Sequence, residues 1–150
     1  MFLSNKKLNV LSVDGGGMLG KGVALYCMLY EQSVGKKFGD LFSAFAGTST
    51  GAIIAALFAE GYTAEDVYEL YDKHLHDIFK KRYLWNPAAC PTYDNSELKE
   101  LLQDKLKGSM DMFTKPVFIP VTSSKGFVKE KIFDRGDVGF PKWKAVLAST

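Results

Sequence analysis

The chain has 150 residues, 47% hydrophobic and 24% charged, with a formal net charge of +2. That is enough apolar material for one core, which excludes a disordered chain, and the balanced charge gives no case for a nucleic-acid partner, which demands a concentrated basic face. Cys27 and Cys90 stand in unrelated contexts, so neither a disulfide framework nor a metal site is implied and reduced thiols are expected.

Residues 1–7 lack the long apolar core of a secretory signal, and a cytoplasmic chain is expected. Residues 8–13 read as a strand that runs into Asp14-Gly15-Gly16-Gly17, a loop whose backbone can approach a ligand without side-chain obstruction. A helix is expected over residues 22–31 and a short strand over 42–46. Gly47-Thr48-Ser49-Thr50-Gly51 follows, and residues 51–60 read as a helix apolar on all sides, hence buried. The uncharged run 41–59 has the length of a membrane span. Polar and turn residues at its middle break it instead into strand, turn and helix.

Residues 64–82 carry Val67, Leu70, Tyr71, Leu75, Ile78 and Phe79 at helical spacing, behind a capping box formed by Thr63 and Asp66. His74 falls on the apolar stripe, where a core role is expected; His76, four residues after Asp72, falls on the charged face. The helix ends in a mixture of cations and aromatics around Lys80, Lys81, Arg82 and Trp85. Two readings fit it: a solvated terminus whose cations suit the helix dipole, and a peripheral contact with a lipid interface. After a loop at 86–91, Asp94 and Glu97 frame a helix through Leu98, Leu101, Leu102 and Leu106 that stops at Gly108. Residues 117–122 and 128–133 read as strands. This alternation predicts one α/β domain, a parallel-rich central sheet with helices on both faces.

The chemistry is concentrated in two strand-to-helix turns. A serine hydroxyl attacks an ester only when it is exposed, held in one geometry and relieved of its proton. The G-x-S-x-G pattern sets Ser49 on a tight, strained turn, and the helix that follows directs positive partial charge toward it. Gly15, Gly16 and Gly17 offer consecutive N–H groups to an oxyanion, and one such donor is worth about 3 kcal/mol in a transition state. Either motif alone is common, G-x-S-x-G by chance and a glycine triplet in phosphate loops or plain turns. The pair, each directly after a strand and before a helix, points to a serine nucleophile with an oxyanion hole.

These residues resemble the patatin-like phospholipases, also called lipid acyl hydrolases. Asp14-Gly15-Gly16-Gly17 with Lys21-Gly22 is similar to the family's D-G-G-G-x-[RK]-G motif, and Gly47 to Gly51 is its G-x-S-x-G in the form G-T-S-T-G. Tyr93-Asp94-Asn95-Ser96-Glu97-Leu98 and Trp143-Lys144-Ala145-Val146-Leu147-Ala148-Ser149 resemble further blocks in the same order. Met18-Leu19-Gly20 sets Lys21 later after the triplet than the family's spacing, a departure that bears on any support Lys21 gives the oxyanion loop.

The resemblance implies a patatin-like variant of the α/β-hydrolase fold and phospholipase A-type hydrolysis of glycerolipid acyl esters, with no metal or organic cofactor. It also implies a Ser–Asp dyad whose aspartate lies downstream in a D-G-[GA] motif. The sole Asp-Gly here is Asp14-Gly15, inside the oxyanion block. Residues 1–150 are therefore expected to form the N-terminal portion of one catalytic domain, inactive alone and prone to associate through uncovered apolar surface. Two other classes stay open: a non-catalytic lipid-binding fragment, and a nucleotide-binding domain, which would lack both a Walker ending and the full dinucleotide fingerprint.

Overall fold

Four strands form one sheet in chain order: β1 (Val10–Val13), β2 (Ala44–Gly47), β3 (Val117–Ser123) and β4 (Lys129–Phe133). The structure is a computed structural model and describes residues 8–75, 78, 95–123 and 129–150. β1 and β2 pair in parallel from Val10 opposite Ala44 to Val13 opposite Gly47, and β2 and β3 pair in parallel at Phe45 opposite Val117. β4 returns antiparallel to β3, with Ile119 opposite Phe133. The expected parallel-rich α/β sheet is what the chain adopts.

Side chains alternate across a strand, and here the two faces differ in burial. Val13, Phe45, Val117, Ile119 and Phe133 are buried on one face, while Val10, Phe118 and Ile132 on the other are exposed. The helices are α1 (Gly20–Val34), α2 (Thr50–Glu60), α3 (Ala64–Leu70), α4 (Ser96–Lys105) and α5 (Lys142–Ser149). α2 lies across β1, β2 and β3, and α5 packs on β3 and α4 beside it. α1 rests on α2 and α3. Among the described residues the helices thus gather on the buried face of the sheet, not on both faces as expected, and the exposed Val10, Phe118 and Ile132 leave the other face bare. Apolar side chains are exposed on that opposite face and along α1, at Leu25, Tyr26, Leu29 and Tyr30.

Every residue of α2 from Thr50 to Ala59 is buried, as its unbroken apolar sequence requires. The capping box at Thr63 and Asp66 is present in both directions, 3.1 Å from the Asp66 N–H to Thr63 Oγ1 and 2.9 Å from the Thr63 N–H to Asp66 Oδ2. Hydrogen bonds from Thr63 hold the Asp66 carboxyl below the usual carboxylate range. The Glu31 carboxylate ties three elements together, accepting from the Phe38 N–H at 2.7 Å and the Ala64 N–H at 3.0 Å.

The helices differ from expectation in four places. α3 passes into a π-helical turn, Tyr71–Leu75, which buries Tyr71 and Leu75 and leaves His74 exposed rather than in the core. A π turn adds a residue to the helical period, so a 3.6-residue stripe drawn through it misplaces side chains. α4 ends at Lys105 before Gly108, and Asn95 stands at its N-cap without a side-chain cap bond; Asp94 lies outside the described residues. α1 is longer at both ends than expected. α5, which follows Pro141 with no side-chain cap, is an additional helix. His76, Cys90 and the segment with Lys80, Lys81, Arg82 and Trp85 also lie outside the described residues.

Candidate active site

Ser49 joins β2 to α2 with φ 52° and ψ −126°, and it is the sole non-glycine residue with positive φ among those described. Such backbone costs about 1–3 kcal/mol and persists only where its surroundings fix it. The flanking glycines do not carry the unusual dihedral; they permit close approach. A methyl group on Gly47 would lie 2.3 Å from the Gly51 carbonyl oxygen, and one on Gly51 would lie 2.1 Å from the Val13 carbonyl oxygen. The serine is thus held up at the end of β2 by backbone packed on backbone. It is only partly buried, and α2 starts at the next residue.

The glycine loop lies directly against it. A methyl on Gly15 would stand 2.9 Å from Ser49 Cβ, which places the two expected turns side by side. Parallel pairing of β1 with β2 in register is the cause, since both strands end at the same level. The loop is fastened by the threonines flanking Ser49: the Gly15 N–H donates to Thr48 Oγ1 and the Gly16 N–H to Thr50 Oγ1, each at 3.1 Å. Two of the three amides expected to be free therefore have acceptors. Gly17, at φ 55° with open space around its Cα, and the Thr50 N–H at the start of α2 have no hydrogen-bond acceptor among the described residues.

Two further groups brace the elbow, and sequence reasoning missed both. Tyr71 is buried, and its hydroxyl donates to the Thr50 carbonyl oxygen at 2.8 Å. Its ring lies against Gly20, where a methyl would stand 2.6 Å away, and burial pushes the phenol well above its ordinary pKa. The second is Ser149, whose hydroxyl accepts from the Ser49 N–H at 3.1 Å and donates to the Pro120 carbonyl oxygen at 2.8 Å. The visible signal was only that each lay in a patterned block, Tyr71 on the apolar stripe and Ser149 in the closing motif.

Lys21 is the second residue of α1, and its ammonium pairs with Asp72 at 2.6 Å, which raises the lysine pKa chiefly through that hydrogen bond. The extra residues before it form a short 3₁₀ turn, Gly17–Leu19. Lys21 anchors the start of α1 to the segment after α3. An apolar cavity of about 410 Å³ opens beside the loop, bounded by Leu11, Val13, Gly15, Gly16, Val23 and Cys27. Burial pushes the Cys27 thiol up to about 11, unsuited to a thiolate nucleophile. Among the described residues, no group of three His, Cys, Asp or Glu is placed to hold a metal, and no helix is long and apolar enough to cross a membrane.

The chain is similar to known proteins in sequence and in fold. A cUMP-AMP-activated phospholipase of Escherichia coli is 38% identical over 97 residues, which cover 64% of this chain and 29% of the relative. Patatin-like protein 2 of Oryza sativa subsp. indica is 28% identical over an alignment of 166 residues, covering 96% and 41%. The fold is similar to a chain of the heterodimeric ExoU–SpcU complex from the type III secretion system of Pseudomonas aeruginosa. The TM-score is 0.70 at 18% identity, over 95% of this chain and 36% of that one. The chain spans well under half the length of each of these proteins. The model of the patatin-like phospholipase family matches residues 11–150, and the chain belongs to that family.

Proposed function

We propose that this chain carries the nucleophile and oxyanion loop of a serine lipid acyl hydrolase acting on glycerolipid acyl esters in the manner of a phospholipase A. The observation that carries the reading is the strained Ser49 backbone with Gly15 packed against its Cβ. A fold that spends stability to hold one partly exposed serine in this geometry does so where the hydroxyl must meet a substrate.

In the proposed reaction, Ser49 Oγ attacks the acyl carbonyl carbon while its proton passes to an aspartate supplied by polypeptide beyond residue 150. The tetrahedral oxyanion is received by the loop of Gly15, Gly16 and Gly17. The Gly17 and Thr50 N–H groups are its foremost donors, because the Gly15 and Gly16 amides are engaged by threonine hydroxyls. The alcohol half of the ester leaves with a proton, and water then attacks the acyl-enzyme to release the fatty acid and restore the serine. The cavity beside Gly15 and Gly16 suits the acyl chain. Lys21 supports the loop indirectly through its anchor on Asp72. The aspartate's place outside this chain makes residues 1–150 inactive by themselves. The lipid is met at a bilayer surface by a peripheral, cytoplasmic protein.

A fluorophosphonate probe tests the reading in the full-length protein. Stoichiometric labelling at Ser49, abolished in Ser49→Ala, is the expected result, with fatty acid release from phospholipid vesicles lost in the same variant. A full-length protein that excludes the probe while a reference serine hydrolase takes it up would refute the proposal and favour a non-catalytic lipid-binding role.

A further inference from the structure

The closing block at residues 143–149 has no part in the chemistry above, yet its last side chain reaches the backbone of the nucleophile. The Ser149 hydroxyl has one proton, and that proton is committed to the Pro120 carbonyl oxygen at 2.8 Å. Its lone pairs are thereby turned toward the Ser49 N–H, 3.1 Å away. The orientation of the hydroxyl is set by β3, and the hydroxyl in turn sets the elbow.

The peptide unit between Thr48 and Ser49 is held at both ends. Its carbonyl oxygen accepts from the Gly51 N–H at 2.8 Å, and its N–H donates to Ser149. Relaxing Ser49 from φ 52° toward the ordinary negative region requires that this peptide unit rotate. Rotation breaks both bonds and leaves a partly buried amide without a partner. The Gly51 bond is local and belongs to the start of α2. The Ser149 bond is the one that ties the strained residue to a different part of the fold.

We propose that Ser149 is a positioning residue: its hydroxyl, oriented by the Pro120 carbonyl, locks the Thr48–Ser49 peptide so that Ser49 stays in its attack conformation. This rests on the reading of Ser49 as nucleophile, but the lock is measurable whether or not the serine reacts.

The experiment uses the full-length protein and three variants. Ser149→Ala removes the hydroxyl, Ser149→Thr keeps it, and Ser149→Val has the shape of threonine without it, so the Thr and Val pair decides the matter if the alanine variant fails to fold. Two quantities are read: hydrogen exchange at the Ser49 amide, and the second-order rate of fluorophosphonate labelling at Ser49. Alanine and valine should speed exchange by about tenfold and slow labelling by about 10- to 100-fold, while threonine keeps both near the parent values. Unchanged exchange in the alanine and valine variants overturns the proposal. Equal losses in threonine and valine overturn it too, because shape rather than the hydroxyl would then be at work. If exchange follows the expected pattern but the parent protein is never labelled, the lock stands and the hydrolase reading fails.

Discussion

The two strand-to-helix turns meet at one point but are built by different means. At the β2–α2 turn, Gly47 and Gly51 are pressed against carbonyl oxygens so closely that no side chain fits, and the strained dihedral falls on the serine between them. At the β1–α1 turn, Gly17 faces open space and Gly16 meets only the Leu19 side chain. What fixes that loop is a pair of hydrogen bonds lent by Thr48 and Thr50 of the other turn. One turn is specified by backbone packed on backbone, that of β1 included; the other is fastened by side-chain hydroxyls of its neighbour. A loop held this way tolerates a longer spacing before Lys21, because the 3₁₀ turn takes up the added residues while the threonine bonds keep Gly15 and Gly16 in place.

The largest effect is expected at Gly51. Helix propensity favours alanine over glycine by about 1 kcal/mol, but forcing a methyl group into close-packed backbone costs about 3 kcal/mol or more. Gly51→Ala should therefore lower unfolding stability by at least about 2 kcal/mol in urea titration. An alanine variant as stable as the parent would show that the close approach to Val13 is not rigid. A gentler test removes what one turn lends the other. Thr50→Val keeps the shape of a buried side chain but leaves the Gly16 amide without its acceptor. The expected cost is about 1 kcal/mol of stability and about a tenfold slower fluorophosphonate labelling of Ser49. Labelling at the parent rate would mean that the glycine loop holds its own shape. The smallest effect has the more telling sign. Ser49→Gly should be more stable than Ser49→Ala by about 1 kcal/mol, because glycine alone adopts positive φ without strain. Equal stability of the two in thermal unfolding would show that the elbow stores no strain.

How legible each part was follows from the range of the interactions that make it. β1, β2 and α2 sit within two residues of where the apolar runs and the G-x-S-x-G motif place them, because each is specified by residues a few positions apart. The capping box at Thr63 was readable for the same reason. His74 was not, since a π turn shifts the helical period without leaving a mark on composition. Thr48 and Thr50 are visible in sequence as hydroxyls, but their acceptor role depends on β1 lying in register beside β2, which is a tertiary fact. Tyr71 reads as one more apolar helix residue until its hydroxyl is seen on the Thr50 carbonyl. Ser149 is the extreme case, because its partners lie on two other segments.

The bond between residues 49 and 149 spans 100 positions of chain. A ribosome releases the elbow long before it releases the hydroxyl that completes it, and closing so large a loop waits on the docking of α5 against β3. During synthesis, the nascent polypeptide thus carries its serine in an unfinished turn. The turn that holds Ser49 therefore gains its most distant tether only when residue 149 has been made.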